Sequence, residues 1–558
     1  MGRIIPICSG IVAAALLTST GVAARTAGLS PLKSYVSGRM ADIDGESAIA
    51  AMAYSKALVA LPSDSELALR AYRKAIEAGD RGIALNAARV LDVQNALPAD
   101  AILLLFTERL AQRDWTGGLG LLDRLDPKVG LGFLVPVLRA WTQYGAGSSD
   151  PLATLAVPEK DSLILSYARE HRALMLIATG RYAEGQTAVA ALASSDARGI
   201  ALRLAAASQL ASKGQKTAAL ELLISDDSAI RVARGLIEAG KPLGGGVDQA
   251  GEGVATLLSG VASDLMRDRA TPAALTLARL ASFAAPGDDM ARLILAQALL
   301  ANGKIDGALI ALSQIKPTSI FAGALRELRI ETLQQAGRDD AALALAQAAV
   351  NAPNASINEQ LLLGQSYARL RRYREAADAY EVVIKRIEGE NLATTSTRGN
   401  ASWSLWLLYG GVLDAAKDWT RAKPALERAV ALGPEQASAL NHLGYAMLER
   451  GDNLDEATKL IAKASALRPN DPAITDSLGW AFFKRGQSAE AITILENAVV
   501  SDPTISETSE HLGDAYWVVG RRVDARYTWR AALVQAVDAD AINRLNVKIA
   551  DGLVETRK

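Results

Sequence analysis

The chain of 558 residues reads as an all-α solenoid: a stack of about fourteen helical hairpins closed by a C-terminal capping helix. Three observations predict it. Half of the residues are apolar, and Ala and Leu outnumber β-branched and aromatic types, a bias that favours helices because these residues lose little freedom there. A small or basic residue recurs every 33 to 35 positions, at Gly45, Gly79, Arg113, Gly147, Gly180, Gly214, Arg269, Gly303, Gly337, Arg371, Lys417, Gly451, Gly486 and Gly520, with two wider gaps. Five residues after each stands a small residue again, from Ala50 and Ala84 to Ala491 and Ala525; Ala457 comes six later, and only Leu152 breaks the rule.

Glycine fills ten of the fourteen slots, whereas 45 glycines in 558 residues would place about one there by chance. The glycine marks the turn between two helices, where a left-handed residue caps the first. The Arg and Lys exceptions suit the negative end of a helix. Small residues let two helices approach closely, and a Pro such as Pro434, Pro469 or Pro503 ends the second helix.

The two wide gaps mark insertions. The boundaries expected are repeats over 31–224, a Gly-containing insertion over 225–256 around Gly244–Gly246, repeats over 257–384, a polar loop over 385–402, repeats over 403–537, and a cap and tail over 538–558.

Gly2-Arg3 and then the apolar, small-residue run from Ile4 to Val22 read as a secretory leader, with cleavage expected after Ala24. An uncleaved anchor is the competing reading. Ile5-Pro6-Ile7 before Cys8 is a poor lipidation signal. The expected location is the periplasm.

Chemistry is scarce. One cysteine and three histidines (His171, His442, His511) leave little for a thiolate or imidazole metal site, and no metal or cofactor is expected. Net charge of −1 with interspersed signs argues against nucleic acid. Phosphate-loop, zinc-protease and nucleophile-elbow motifs do not occur, and Gly251-Glu-Gly253 lacks the strand that a dinucleotide site needs. Catalysis is therefore not expected.

Leu443-Gly444 with Met447 and Ala457, Leu478-Gly479 with Phe482, Ala491, Leu495 and Ala498, and Leu512-Gly513 with Tyr516, Ala525 and Trp529 resemble the tetratricopeptide repeat. The resemblance implies a right-handed superhelix whose first helices line a concave groove that binds protein. It would place Asn441, Tyr445, Leu448, Glu449, Asp476, Trp480, Phe483, Lys484, Glu510, Asp514, Trp517 and Val518 in that groove. Tyr445, Trp480, Phe483 and Trp517 could anchor a partner or pack as core between hairpins. The groove so read is aromatic and acidic, suited to an apolar or basic segment.

Asn441-His-Leu-Gly-Tyr445 and Asp476-Ser-Leu-Gly-Trp480 are similar to the C-terminal region of long exported repeat proteins of Gram-negative bacteria, some of them envelope adaptors for a processing protease. The implied function is a non-catalytic scaffold gripping a polypeptide, an envelope protease or an assembly component. An assembly factor for exopolysaccharide export or secretion is the alternative. Contact with a membrane would come only through an uncleaved leader or a partner.

Overall fold

The computed structural model describes residues 30–126, 129–156, 162–192, 194, 196–225, 227–352, 355–391 and 402–553. The leader, Cys8, most of the polar loop and the last five residues lie outside them. The described residues form 29 α-helices and no strand.

In chain order the helices are α1 (Pro31–Ile43), α2 (Ser47–Ala60), α3 (Ser65–Ala78), α4 (Arg81–Val93), α5 (Ala99–Ala111), α6 (Trp115–Leu122) and α7 (Val135–Gly145). Then come α8 (Ser162–Ala178), α9 (Tyr182–Leu192), α10 (Ala197–Ser212), α11 (Lys216–Leu222), α12 (Ser228–Glu238), α13 (Ala250–Arg267) and α14 (Thr271–Ala284). They continue with α15 (Asp289–Ala301), α16 (Ile305–Ser313), α17 (Ala322–Gln335), α18 (Asp339–Val350), α19 (Ile357–Arg369) and α20 (Tyr373–Asn391). The C-terminal set is α21 (Trp403–Ala415), α22 (Trp419–Leu432), α23 (Ala437–Arg450), α24 (Leu454–Leu467), α25 (Pro472–Lys484), α26 (Ser488–Ser501), α27 (Ser506–Val518), α28 (Arg522–Gln535) and α29 (Ala539–Asp551).

The turn slot explains the hairpins. All fourteen slots have positive φ, from 56° to 88°, including Arg113, Arg269, Arg371 and Lys417. The turn geometry is therefore constant, and the four cations adopt it despite the crowding of their β-carbons. The slot residue and the one after it return their amides to the end of the preceding helix, as when Gly486 and Gln487 bond the Phe483 and Phe482 carbonyls. Aspartates commonly start the next helix: Asp80, Asp114 and Asp418 each accept the amide three residues on.

Close approach then fixes the pairing. Ala50, Ala84, Ala219, Ala274, Ala308, Ala342, Ala376, Ala422, Ala457, Ala491 and Ala525 are all 0 % exposed. On several first helices the position seven before the slot is glycine, at Gly38, Gly364, Gly410, Gly479 and Gly513, whereas Tyr72, Phe106 and Ile330 stand there in others. Each glycine lies against the side chain sixteen residues later (Tyr54, Tyr380, Leu426, Leu495, Trp529), so close that a β-carbon would sit 2.4–2.7 Å from it. Gly444 meets Ile461 instead, one residue further on, because Asn453, also left-handed, lengthens that turn. Leu152, the one bulky residue at the small slot, is where the pairing fails: a short 3-10 turn over Ala153–Leu155 follows α7 in place of a second α-helix.

Two expected boundaries look different in the structure. α20 continues to Asn391, into the stretch read as polar loop, and α12 occupies much of 225–256 before its own left-handed Gly240. Irregular chain over 241–249, with left-handed Gly244 and Gly245, then leads into α13.

The contacts divide the chain into two compact units. One comprises residues 1–188 and 247–291, the other 189–246 and 292–558. In the first, the α13–α14 hairpin does not follow its neighbours along the stack. It turns back onto first helices: α13 packs on α7, α5 and α8, and α14 on α5 and α3. Trp141 of α7 lies over Gly253 with no room for a β-carbon, the Tyr144 hydroxyl donates to the Asp248 carbonyl at 3.3 Å, and Tyr167 donates to Asp264. Arg279 of α14 caps α3, donating to the Ile76 and Glu77 carbonyls at 3.2 and 3.3 Å. Burial without a carboxylate partner lowers its pKa to about 10. The trough of this unit is thus filled by the chain itself. In the second unit, α16–α28 pack each on the next and α29 closes the end on α28.

Two consequences can be measured by denaturant titration. Lys417→Gly relieves a left-handed lysine and should raise stability by about 1 kcal/mol, whereas Gly486→Ala should lower it by about as much. Gly253→Val drives a branched side chain into Trp141, and should make 241–249 newly sensitive to limited proteolysis while leaving helical dichroism largely intact.

Candidate functional site

The expected groove residues all lie on the first helices α23, α25 and α27, and the structure joins most of them in a polar ladder that runs from helix to helix. Arg450 of α23 pairs with Asp414 of α21. Glu449 of α23 accepts the indole N–H of Trp480 on α25 at 2.6 Å and lies 3.4 Å from Lys484 Nζ. Asp476 of α25 meets Nδ1 of His511 on α27 at 3.0 Å. Glu510 of α27 accepts two hydrogen bonds from Arg544 of α29 and one from Lys548 at 2.6 Å, and Lys548 also donates to both oxygens of Asp514.

Aromatic rings fill the same seam. Trp480 stacks between Phe483, at 4.8 Å, and His511, at 3.9 Å, both within 12° of parallel. Lys484 Nζ sits 4.9 Å above the Trp480 ring. Trp517 leans on Trp529 at 5.3 Å, carries Arg522 4.0 Å over its face, and packs against Gly552 after α29. Trp529 in turn donates to Asp514 at 2.9 Å. Tyr445 reaches past α25 to Glu507 of α27, its hydroxyl donating at 2.6 Å.

Charge follows from this packing. Burial opposes ionisation of Glu510, but Arg544 and Lys548 outweigh it and lower its pKa to about 2. Asp514 is raised instead, because burial prevails over the single lysine it shares and Glu510 adds repulsion. For His511, burial disfavours the cation, yet Asp476, Glu507 and Asp514 around it raise its pKa on balance. His442, partly desolvated with only Asp414 to favour its charge and Arg450 opposing, is lowered. Among the described residues no group of three His, Cys, Asp or Glu side chains is placed to hold a metal ion.

The aromatic and acidic groove read from sequence therefore needs correction. Asp476, Trp480, Glu510 and Asp514 are buried, Trp480 as core between hairpins, and Leu448 is buried too. The acids are neutralised within the chain. Accessible surface remains at Asn441, Tyr445, Glu449, Phe483, Lys484, Trp517 and Val518. The Oδ1 atom of Asn441, one turn before Tyr445, is enclosed yet has no hydrogen-bond partner. Sequence reasoning missed Glu507, Arg544 and Lys548. The signal was the period itself: Arg544 and Lys548 stand 34 residues after Glu510 and Asp514.

Removing one partner of such a buried cluster leaves charge uncompensated. Lys548→Met should cost about 3 kcal/mol, read from the denaturant midpoint, and free α29 to rapid amide exchange. His511 has a raised pKa, so its contribution is full below its ordinary value of 6.5 and fades as pH rises through the elevated one. His511→Gln should therefore destabilise more at pH 6 than at pH 9, compared by thermal melts.

A family model described as tetratricopeptide repeat matches residues 402–472. No curated protein matches the chain. Among solved structures, a tetratricopeptide repeat protein from Parabacteroides merdae is 13 % identical with a TM-score of 0.40, covering 47 % of this chain and 99 % of that one. The APC/C hetero-tetramer Cut9–Hcn1 is 14 % identical with a TM-score of 0.38, covering 93 % and 95 %. YrrB, titled a TPR protein with an unusual peptide-binding site, is 21 % identical with a TM-score of 0.26, covering 32 % and 87 %. With the residue pattern, the left-handed slots and the family match together, residues 402–472 stand as a tetratricopeptide-repeat segment within an all-α array of stacked hairpins.

Proposed function

We propose that this chain is a non-catalytic, protein-binding scaffold of the bacterial envelope, acting in the periplasm and gripping an extended stretch of a partner protein along α23, α25 and α27. The observation that carries the reading is Asn441. Its carbonyl oxygen is enclosed and unpartnered on a partly exposed side chain of a first helix, so that rotation of the amide would present it to a peptide N–H, and an unmade bond of this kind is costly. Tyr445, one turn on, and Phe483 and Lys484 on the next first helix offer amphipathic contact beside it. Because the acids are already paired, the partner segment is expected to be neutral or mixed in charge, not basic.

Export rests on the leader-like residues 1–24, and no helix among the described residues is long and apolar enough to cross a membrane. The partner would be an envelope protease or an assembly component.

Photo-crosslinking residues placed at Asn441 and Lys484 in living cells should capture one partner in stoichiometric yield, while Val534, exposed on the second helix α28, should capture none. Equal capture at all three positions, or none at any, would sink the reading. Asn441→Leu should weaken capture about tenfold, one charge-free hydrogen bond's worth, without lowering the melting temperature.

A further inference from the structure

The two ends of the array are finished differently. At the C-terminal end α29 buries Leu545 and turns Asn543 and Asn546 outward, as the last element of a stack should. At the N-terminal end the polarity is reversed. α1 buries its small residues Ser34, Gly38 and Ala41 toward Tyr54 of α2, and turns its large apolar ones out. Leu32 is 72 % exposed, Val36 46 %, Met40 62 % and Ile43 77 %. Spacings of four, four and three put them on one face of the helix. α2 adds exposed Ile49, Met52 and Val59. Among the described residues nothing covers this apolar outer face, the kind of face that capping of a stack exists to bury.

We propose that this face is an isologous dimer interface, covered by α1 of a second copy of the chain lying antiparallel to it about a two-fold axis. Charge at the two ends of the stripe fits that occupant, while Arg39, partly exposed near its middle, faces Asp42 of its own chain. Lys33 and Asp44 stand at opposite ends of the stripe, about 16 Å apart along the helix, and neither has an ion-pair partner among the described residues. In antiparallel register Val36 meets the partner's Met40 and Leu32 meets the partner's Ile43. Lys33 then meets the partner's Asp44, and symmetry forms that pair twice. Ser37, exposed and small, lies beside the axis and lets the helices approach. A parallel arrangement would set lysine against lysine. Head-to-tail stacking would set the apolar stripe on the polar face of α29, so growth stops at two.

The test uses the full chain, carrying a C-terminal tag, expressed with its leader and purified as the cell leaves it. Sedimentation at micromolar concentration should give twice the monomer mass. Val36→Glu with Met40→Glu should give a monomer that keeps its helical dichroism and a cooperative melt. Lys33→Asp alone should weaken dimerisation about tenfold, and adding Asp44→Lys should restore it. In a Cys8→Ser background, Ser37→Cys should form a cross-linked dimer on mild oxidation, whereas Val534→Cys should not. A monomeric wild-type chain overturns the proposal, as it would be if residues 1–29 covered the stripe instead. A dimer indifferent to the paired glutamates overturns it as well, and failure of the charge swap overturns the antiparallel register. None of these outcomes bears on Asn441 capture, which lies in the other unit.

Discussion

Everything in this fold depends on how closely the two helices of a hairpin approach. Eleven alanines at one slot have no exposed surface, and the six glycines on first helices at Gly38, Gly364, Gly410, Gly444, Gly479 and Gly513 have no room for a β-carbon. At that separation the connection must reverse direction within about two residues, which only a left-handed turn achieves. The constraint is strict enough to force Arg113, Arg269, Arg371 and Lys417 into a conformation that costs about 1–2 kcal/mol each. The cost is tolerated because tight packing of helix on helix returns more than the strained residue loses.

The same regularity organises the polar side chains. Once hairpins repeat at a fixed rise, residues a period apart on successive first helices become neighbours. Arg326 with Glu359, Gln334 with Ser366, Asp476 with His511 and Glu510 with Arg544 are all such pairs, 32 to 35 positions apart. Each joins one hairpin to the next, so the ladder adds directional links to an apolar core that has none. It also uses up charge that sequence alone would assign to a partner.

Features that follow from local chemistry were legible in the sequence. The turn slots, the small positions and the capping helix all rest on steric rules that act within one hairpin. Leu152 was legible as an exception, though not that the second helix there would be replaced by a 3-10 turn. The return of α13–α14 onto α3, α5 and α7 was not legible. It depends on Gly253 meeting Trp141 and Arg279 reaching the Ile76 carbonyl, more than a hundred positions away. Periodicity reports which face of a helix is apolar and is silent on which distant helix will cover it. Asp476, Trp480, Glu510 and Asp514 proved buried for a related reason: placing a residue on a first helix does not reveal the neighbour that covers it.

That distinction decides where a partner can bind. A groove residue can serve recognition only if the ladder has left it unsatisfied or exposed. Trp480, stacked between Phe483 and His511 with its N–H on Glu449, has no bond left to give. Its part is to hold α23, α25 and α27 at a fixed spacing. Asn441, whose carbonyl oxygen the ladder passes by, keeps its bonding capacity and sits on the frame that Trp480 stiffens. Under the proposed reading, rigid spacing with an unpartnered acceptor on a partly exposed side chain favours an extended backbone over a folded surface. An extended strand could bring a peptide N–H to one fixed point without strain, and in that reading its ordering cost would be shared with contacts at Tyr445 and Lys484.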